Sequence, residues 1–286
     1  MAATNDKNPF HLSTAASNGH TDLVELLLDE DGIQLDEKDD RDRTPLFLAA
    51  SNGHAEVVEL LLEHATGPAP KVNVNQQSKD TSTPLKAALT NDHAGVAEIL
   101  LRLEHIDVNI VYLEEWTPLG AASGSGHLKV VKTLVKRLGG SDKLYENHRG
   151  ENAQGTPLYL ASDAGHTKVV KLLLKPENLL QGEKKKEYID QTSMGGRTAL
   201  LAAATNGHAD VVALLLDNDA DTEKQSSDGM TPLKAAIING HANVVKLLYD
   251  KVKLLYDKNR GTGNAAGGTG NAAGGTGNDD NNTGSG

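Results

Sequence analysis

The eleven histidines of this chain are its most obvious candidates for chemistry, because imidazole changes charge near neutral pH and is the commonest protein ligand for metal ions. Seven of them, His20, His54, His93, His127, His166, His208 and His241, recur at intervals of 34, 39, 34, 39, 42 and 33 residues. A metal site would need several of these rings within bonding reach of one ion, about 2 Å. Helical elements stacked in succession sit about 10 Å apart, so histidines carried on equivalent positions of successive elements cannot share an ion. No Ser-His-acid grouping, HExxH or phosphate-binding GxxxxGK is present. The acidic run at 36–42 is more simply a solvated loop than a pair of catalytic carboxylates. There is no cysteine, hence no thiol nucleophile, disulfide framework or Cys-ligated zinc. No catalytic residue, metal or cofactor is therefore assigned, and the chain is expected not to be an enzyme. The regular recurrence instead gives the seven histidines a structural duty: hydrogen bonding in a turn and tying helix pairs together.

The elements that carry those histidines repeat with them. FHLSTAASNGH at 10–20 is followed by TPLFLAASNGH at 44–54, TPLKAALTNDH at 83–93 and TPLGAASGSGH at 117–127. TPLYLASDAGH at 156–166, TALLAAATNGH at 198–208 and TPLKAAIINGH at 231–241 complete seven copies. After each histidine comes a second apolar segment of one pattern, such as AEVVELLL or TKVVKLLL. Thr before Pro is a helix N-cap followed by a residue whose fixed φ suits the first helical turn. A short helix therefore starts at Thr44-Pro45, carries small residues such as Ala49 and Ala50, and stops at Asn52-Gly53, where glycine tolerates the left-handed cap. The following segment puts Val57, Val58, Leu60, Leu61 and Leu62 on an apolar stripe, with Glu56, Glu59 and Glu63 facing away. Helices shorter than about 12 residues are marginal in water. Each pair must bury its stripe against the next, which makes a solenoid with a continuous core.

The Thr-Pro-Leu-x-x-Ala-x-x-x-Gly-His units, with Val-Val-x-Leu-Leu-Leu after them and segments such as Asp107-Val108-Asn109 between them, closely resemble the ankyrin repeat over about residues 8–258. The resemblance implies an all-α fold: a curved stack of antiparallel helix pairs whose β-hairpin-like finger loops form a concave surface with the first helices. It also implies a protein-binding module without catalysis. The chain departs from the family at the residue after Thr-Pro-Leu, commonly histidine. Here that place holds Ser13, Phe47, Lys86, Gly120, Tyr159, Leu201 and Lys234. Only Gly196 and Gly229 supply a glycine two residues before the capping threonine, so the other finger turns are expected to differ in shape.

Three junctions exceed the usual repeat length, beginning at Ala65, Leu138 and Lys175, and are read as loops on one face. The organisation expected is a short lead at 1–7, a repeat domain at 8–260 and a Gly/Asn/Thr-rich tail at 261–286. The tail's composition cannot bury enough surface to offset its ordering entropy. After the seventh unit, KLLYDKV and KLLYDKN extend the last helix to about Lys258. Val245, Leu248, Val252 and Leu255 line up along it, giving a capping helix whose spare apolar edge is a route to self-association of an otherwise monomeric protein.

Composition bounds the partners. Only 3% of the 286 residues are aromatic, with a single Trp, and the formal charge is −11, which disfavours binding to the phosphate backbone of nucleic acids. No apolar run reaches the roughly 20 residues that span a bilayer, and the polar start MAATNDKNPF is unlike a secretory signal. A cytoplasmic location is expected, with nuclear entry an option that Lys184, Lys185 and Lys186 support only weakly. The outer-helix charges are polarised: Asp22, Glu25, Asp29, Glu56, Glu59 and Glu63 early, against Lys129, Lys132, Lys136, Arg137, Lys168, Lys171 and Lys175 in the middle. By the ankyrin resemblance, the binding surface falls on Arg41, Arg43, Lys79, Asp80, Leu113, Glu114, Trp116, Met194, Arg197, Asp228 and Met230 of the fingers. Asn52, Asn91, Asp163, Asn206, Ile238 and Asn239 of the inner helices join them. Phe47 and Tyr159 are either inner-surface anchors or fillers of the space left by the missing histidine. Trp116 is the prime candidate for an anchor, since binding energy concentrates in a few large side chains. The function expected is a scaffold that binds another protein through this surface. The alternative is a regulatory subunit that masks or localises an enzyme or transcription factor.

Overall fold

The structure is a computed structural model, which describes residues 12–64, 72–108, 117–139, 155–175 and 182–263. Its inner helices are α1 (Leu12–Asn18), α3 (Pro45–Ser51), α5 (Pro84–Thr90), α7 (Pro118–Gly124), α9 (Pro157–Asp163), α12 (Ala199–Asn206) and α14 (Pro232–Ile238). The outer helices are α2 (Thr21–Leu28), α4 (Ala55–His64), α6 (Ala94–Leu100), α8 (Leu128–Leu138), α10 (Thr167–Leu173), α13 (Ala209–Asp217) and α15 (Ala242–Gly263). Each inner helix packs against the next inner helix, and each outer helix against the next outer one. One buried apolar cluster runs through the array from Leu12 to Leu248. Among the described residues there are fifteen α-helices and no strands.

The capping chemistry explains where the inner helices begin. The hydroxyls of Thr44, Thr83, Thr117, Thr156, Thr198 and Thr231 accept the backbone N–H three residues on, at 3.0–3.3 Å, so one of the orphan donors of each helix start is satisfied. The helices end in the paired bonds of a left-handed cap: His54 N–H donates to the Ala49 carbonyl at 3.0 Å and Gly53 N–H to Ala50 at 3.4 Å.

The histidines join repeat to repeat rather than the two helices of one pair. His54 Nε2 lies 3.0 Å from the Ser17 carbonyl, His166 2.8 Å from Gly124, His208 3.0 Å from Asp163 and His241 2.9 Å from Thr205. A carbonyl only accepts, so each of these rings carries its proton on Nε2. The rings fit because of the glycine one residue before the preceding histidine. A Cβ on Gly53 would sit 2.5 Å from His93 Nδ1, and one on Gly207 2.6 Å from His241 Nδ1.

The third repeat breaks this rule. Asp92 occupies the glycine position and is held at φ +66°, in the region that costs an L-residue about 1–2 kcal/mol. His127 Nε2 lies 2.8 Å from Asp92 Oδ1, a contact at ion-pair distance but without hydrogen-bond alignment, in place of the carbonyl contact of the other rings. Asp92→Gly is expected to relieve the backbone strain, raising stability by about 1 kcal/mol. An upward shift of the thermal midpoint checks this, and an unchanged or lower midpoint contradicts it.

Two expectations about the loops need correction. Among the described fingers, the turns do not differ in shape where glycine is missing: Asp42 and Thr81 take φ +59° and +56°, against +72° and +75° for Gly196 and Gly229. The four described fingers close with the same pair of bonds. Ser78 N–H donates to the Ser82 carbonyl at 2.9 Å and Thr81 N–H to Ser78 at 2.9 Å, as Ser193 does to Arg197 at 2.8 Å and Gly196 to Ser193 at 3.0 Å. Local side chains hold the non-glycine turns: Asp39 Oδ1 accepts the Arg41 and Arg43 N–H groups at 2.9 and 2.8 Å, and Ser78 Oγ accepts Ser82 N–H at 3.2 Å. The third long junction is not all loop. It contains α11 (Glu183–Ile189), which delivers Tyr188 and Ile189 into the core at 3% and 2% exposure, and Lys184, Lys185 and Lys186 ride on this helix. The last helix runs beyond Lys258 to Gly263, and the remainder of the tail lies outside the described residues.

Candidate binding surface

Fingers and inner helices together build one face of the array. Adjacent fingers are joined directly: Lys79 N–H donates to the Arg41 carbonyl at 2.8 Å, and Ser227 N–H to the Gly195 carbonyl at 2.8 Å. These bonds tie the first two described fingers to each other and the last two to each other.

Not all of the expected surface residues are available on this face. Phe47 and Tyr159 are buried, at 7% and 8% exposure, and do not stand free on the surface. Asn52, Asn91 and Asn206 serve the stack, since each donates its side-chain amide to the backbone of the preceding repeat, at Ser17, Ser51 and Asp163, at 2.8–2.9 Å. Leu113, Glu114 and Trp116 lie outside the described residues.

On the first two fingers, Arg41, Lys79 and Asp80 are exposed. Arg43 is half-buried and engaged with Asp39, at 2.7 Å from Nε and 2.6 Å from the terminal nitrogen. Partial burial alone would raise the Asp39 pKa, but the hydrogen bonds from the Arg43 guanidinium and from the Arg43 and Arg41 N–H groups outweigh it. They hold the carboxyl below its ordinary value.

The last two fingers bring four expected residues together. Arg197, Asp228 and Met230 line a cleft of about 220 Å³ whose floor is made by Leu201, Thr205 and Ala235 and whose far side is Ile238 and Asn239. Met194 stands on the finger beside it, 69% exposed. The guanidinium is fixed in place, donating to Thr205 Oγ1 at 3.2 Å while that hydroxyl donates to the Leu201 carbonyl at 2.7 Å. Asp228 accepts a hydrogen bond from the Ser226 hydroxyl. That bond, backbone N–H groups and the Arg197 charge keep its carboxyl below the ordinary range. The cleft thus presents a positioned cation, a carboxylate that stays ionised and exposed apolar edges of Met and Ile.

No group of three or more His, Asp or Glu able to hold a metal is found among the described residues, and no helix there is long and apolar enough to cross a membrane.

Paired short helices, threonine-capped inner helices, histidine links between repeats and hairpin-like fingers define a helix-pair solenoid. The profile of ankyrin repeats (3 copies) matches residues 2–76, 69–147, 103–182 and 177–260, and the chain belongs to the ankyrin-repeat family. Among solved structures, the ankyrin repeat domain of human ASB11 superposes with a TM-score of 0.62 at 24% identity, covering 86% of this chain and 98% of that one, a likeness of fold. No curated protein matches the sequence. Ankyrin repeats are generally protein–protein interaction modules.

Proposed function

We propose that the protein is a non-enzymatic scaffold which grips another protein on its finger and inner-helix face, with the cleft between the sixth and seventh repeats as the anchoring point. The observation that carries this is the convergence of Arg197, Asp228, Met230 and Ile238 on one cleft, with Met194 beside it. Desolvated apolar anchors flanked by fixed charges are the composition of a binding hot spot. The partner that fits is an extended segment carrying an apolar side chain between an acidic and a basic residue. Arg197 takes its carboxylate and Asp228 its cation. An array that binds this way across a functional site acts as an inhibitor, and one that leaves the site clear acts as an adaptor. A purified mixture separates the two by the partner's activity.

Peptides selected from a random display library against the intact chain provide the test. Met230→Ala combined with Arg197→Glu is expected to weaken the selected peptides by about 2 kcal/mol, roughly thirtyfold in Kd, while Lys132→Glu on the outer face leaves them unchanged. Peptides insensitive to the cleft substitutions but lost with Lys132→Glu place binding on the other side of the molecule.

A further inference from the structure

Among the described residues, the two ends of the array are left open in complementary ways. Four residues before each anchor histidine, the inner-helix side chain is at most 1% exposed in the first six repeats, and in the seventh, Ile237, it is 58% exposed. Eight residues after the histidine, the outer-helix side chain is buried or half-buried in those six repeats, and in the seventh, Tyr249, it is 62% exposed. Ile237 and Tyr249 wall an apolar groove of about 500 Å³ together with Gly240, Val245 and Lys246. Gly240 keeps the left-handed φ of +72°. A Cβ there would meet nothing within 4 Å, where Gly19, Gly53, Gly126, Gly165 and Gly207 each face the next repeat's histidine ring. The slot for an eighth histidine is shaped and vacant.

The first repeat carries what such a slot receives. His20 is exposed, unlike the six later histidines, which are half-buried. Leu26, six residues after it, is 64% exposed, while the same position is buried or half-buried in every later repeat. The charges also agree. At two junctions of the array, the residue five after one histidine pairs with the residue two or nine after the next: Glu98 with Lys129, and Glu59 with Arg102 at 3.4 Å. At the open ends the corresponding positions are Lys246 on one side and Asp22 and Asp29 on the other, all exposed, so the signs are reversed yet still opposite.

From these observations we infer that the chain self-associates head to tail, the first repeat of one copy stacking on the seventh repeat of another as an eighth repeat would. His20 then reaches the Ile238 carbonyl, Leu26 covers the groove beside Tyr249, and Lys246 lies between Asp22 and Asp29. Such a contact is heterologous and does not close on itself, so it propagates into linear oligomers.

Sedimentation velocity on the full chain tests this over a micromolar to submillimolar series. The average mass is expected to rise past that of a dimer without a plateau, and to fall as salt screens the Lys246 pairs. Ile237→Glu and Leu26→Glu change exposed side chains, so circular dichroism is expected to show both folded. Each variant alone is expected to lose at least about tenfold in association constant, because a charge is placed in the contact. Mixed in equal amounts, they are expected to form a dimer that grows no further, one intact end of each variant being enough for a single contact. A wild-type chain that stays monomeric overturns the inference, as does one that stops at a dimer. A dimer that persists in Leu26→Glu alone also overturns it, since that marks a contact between two C-terminal ends.

Discussion

Leu158→Ala is expected to destabilise the array by about 3 kcal/mol, the range for deleting a fully buried leucine whose cavity cannot collapse. Leu158 is the leucine of the Thr-Pro-Leu unit, 0% exposed, on an inner helix packed between the inner helices before and after it. Collapse is restricted on both sides, because Leu119 and Leu200 occupy the same position in the neighbouring repeats at 1% exposure each. Leu233, at the same position of the final repeat, is only partly buried, and Leu233→Ala is expected to cost less than half as much. Urea titration of both variants beside the parent chain reads the difference. Similar losses at the two positions contradict a stack in which each repeat depends on both neighbours. A Leu158→Ala profile that separates into two transitions is consistent with that dependence, since a weak point in a linear array divides it into parts that unfold separately.

Gly207→Ala is expected to cost about 2–3 kcal/mol, of which about 1–2 comes from holding an L-residue in the left-handed region. The rest comes from expelling the His241 ring and its 2.9 Å bond to Thr205. Alanine at 207 would place its Cβ 2.6 Å from the ring, while alanine at 240, with φ +72° and open space around it, carries the backbone cost alone. The difference between the two thermal midpoints therefore isolates the histidine contact. Equal losses at 207 and 240 remove the histidine from the account of stability. At the one described anchor where a non-glycine residue holds this left-handed position, Asp92, the following His127 meets the Asp92 carboxylate instead of a carbonyl.

Much of this architecture was legible beforehand because it rests on local rules. Thr44-Pro45 and its equivalents announce helix starts through capping that involves residues only three apart, and Asn52-Gly53 announces a stop through backbone sterics. The apolar stripe from Val57 to Leu62 requires a neighbour because a short helix cannot stand alone. Of the binding face, Arg197, Asp228 and Met230 could be placed together by repeat register, because equivalent positions of adjacent repeats become neighbours in a stack.

What could not be read depended on contacts between residues distant in the chain. Asn52 and Asn91 looked like surface residues, yet their amides bond to backbone about 35 to 40 residues earlier. Phe47 was as compatible with an anchor as with a filler, and only its burial in the assembled stack separates the two. The helix at Glu183–Ile189 was hidden in a charged run whose only sign was the apolar pair Tyr188-Ile189, and Asp42 and Thr81 copied the glycine turns because neighbouring side chains and backbone bonds stabilised the strained φ. Helix limits, repeat number and the need to stack follow from chain chemistry over a few residues, and the amino-acid order settles them. Which polar side chain faces solvent, which ties one repeat to the last and which ends of the stack stay uncovered are decided only once the repeats are assembled, because each depends on what a neighbour from another repeat occupies.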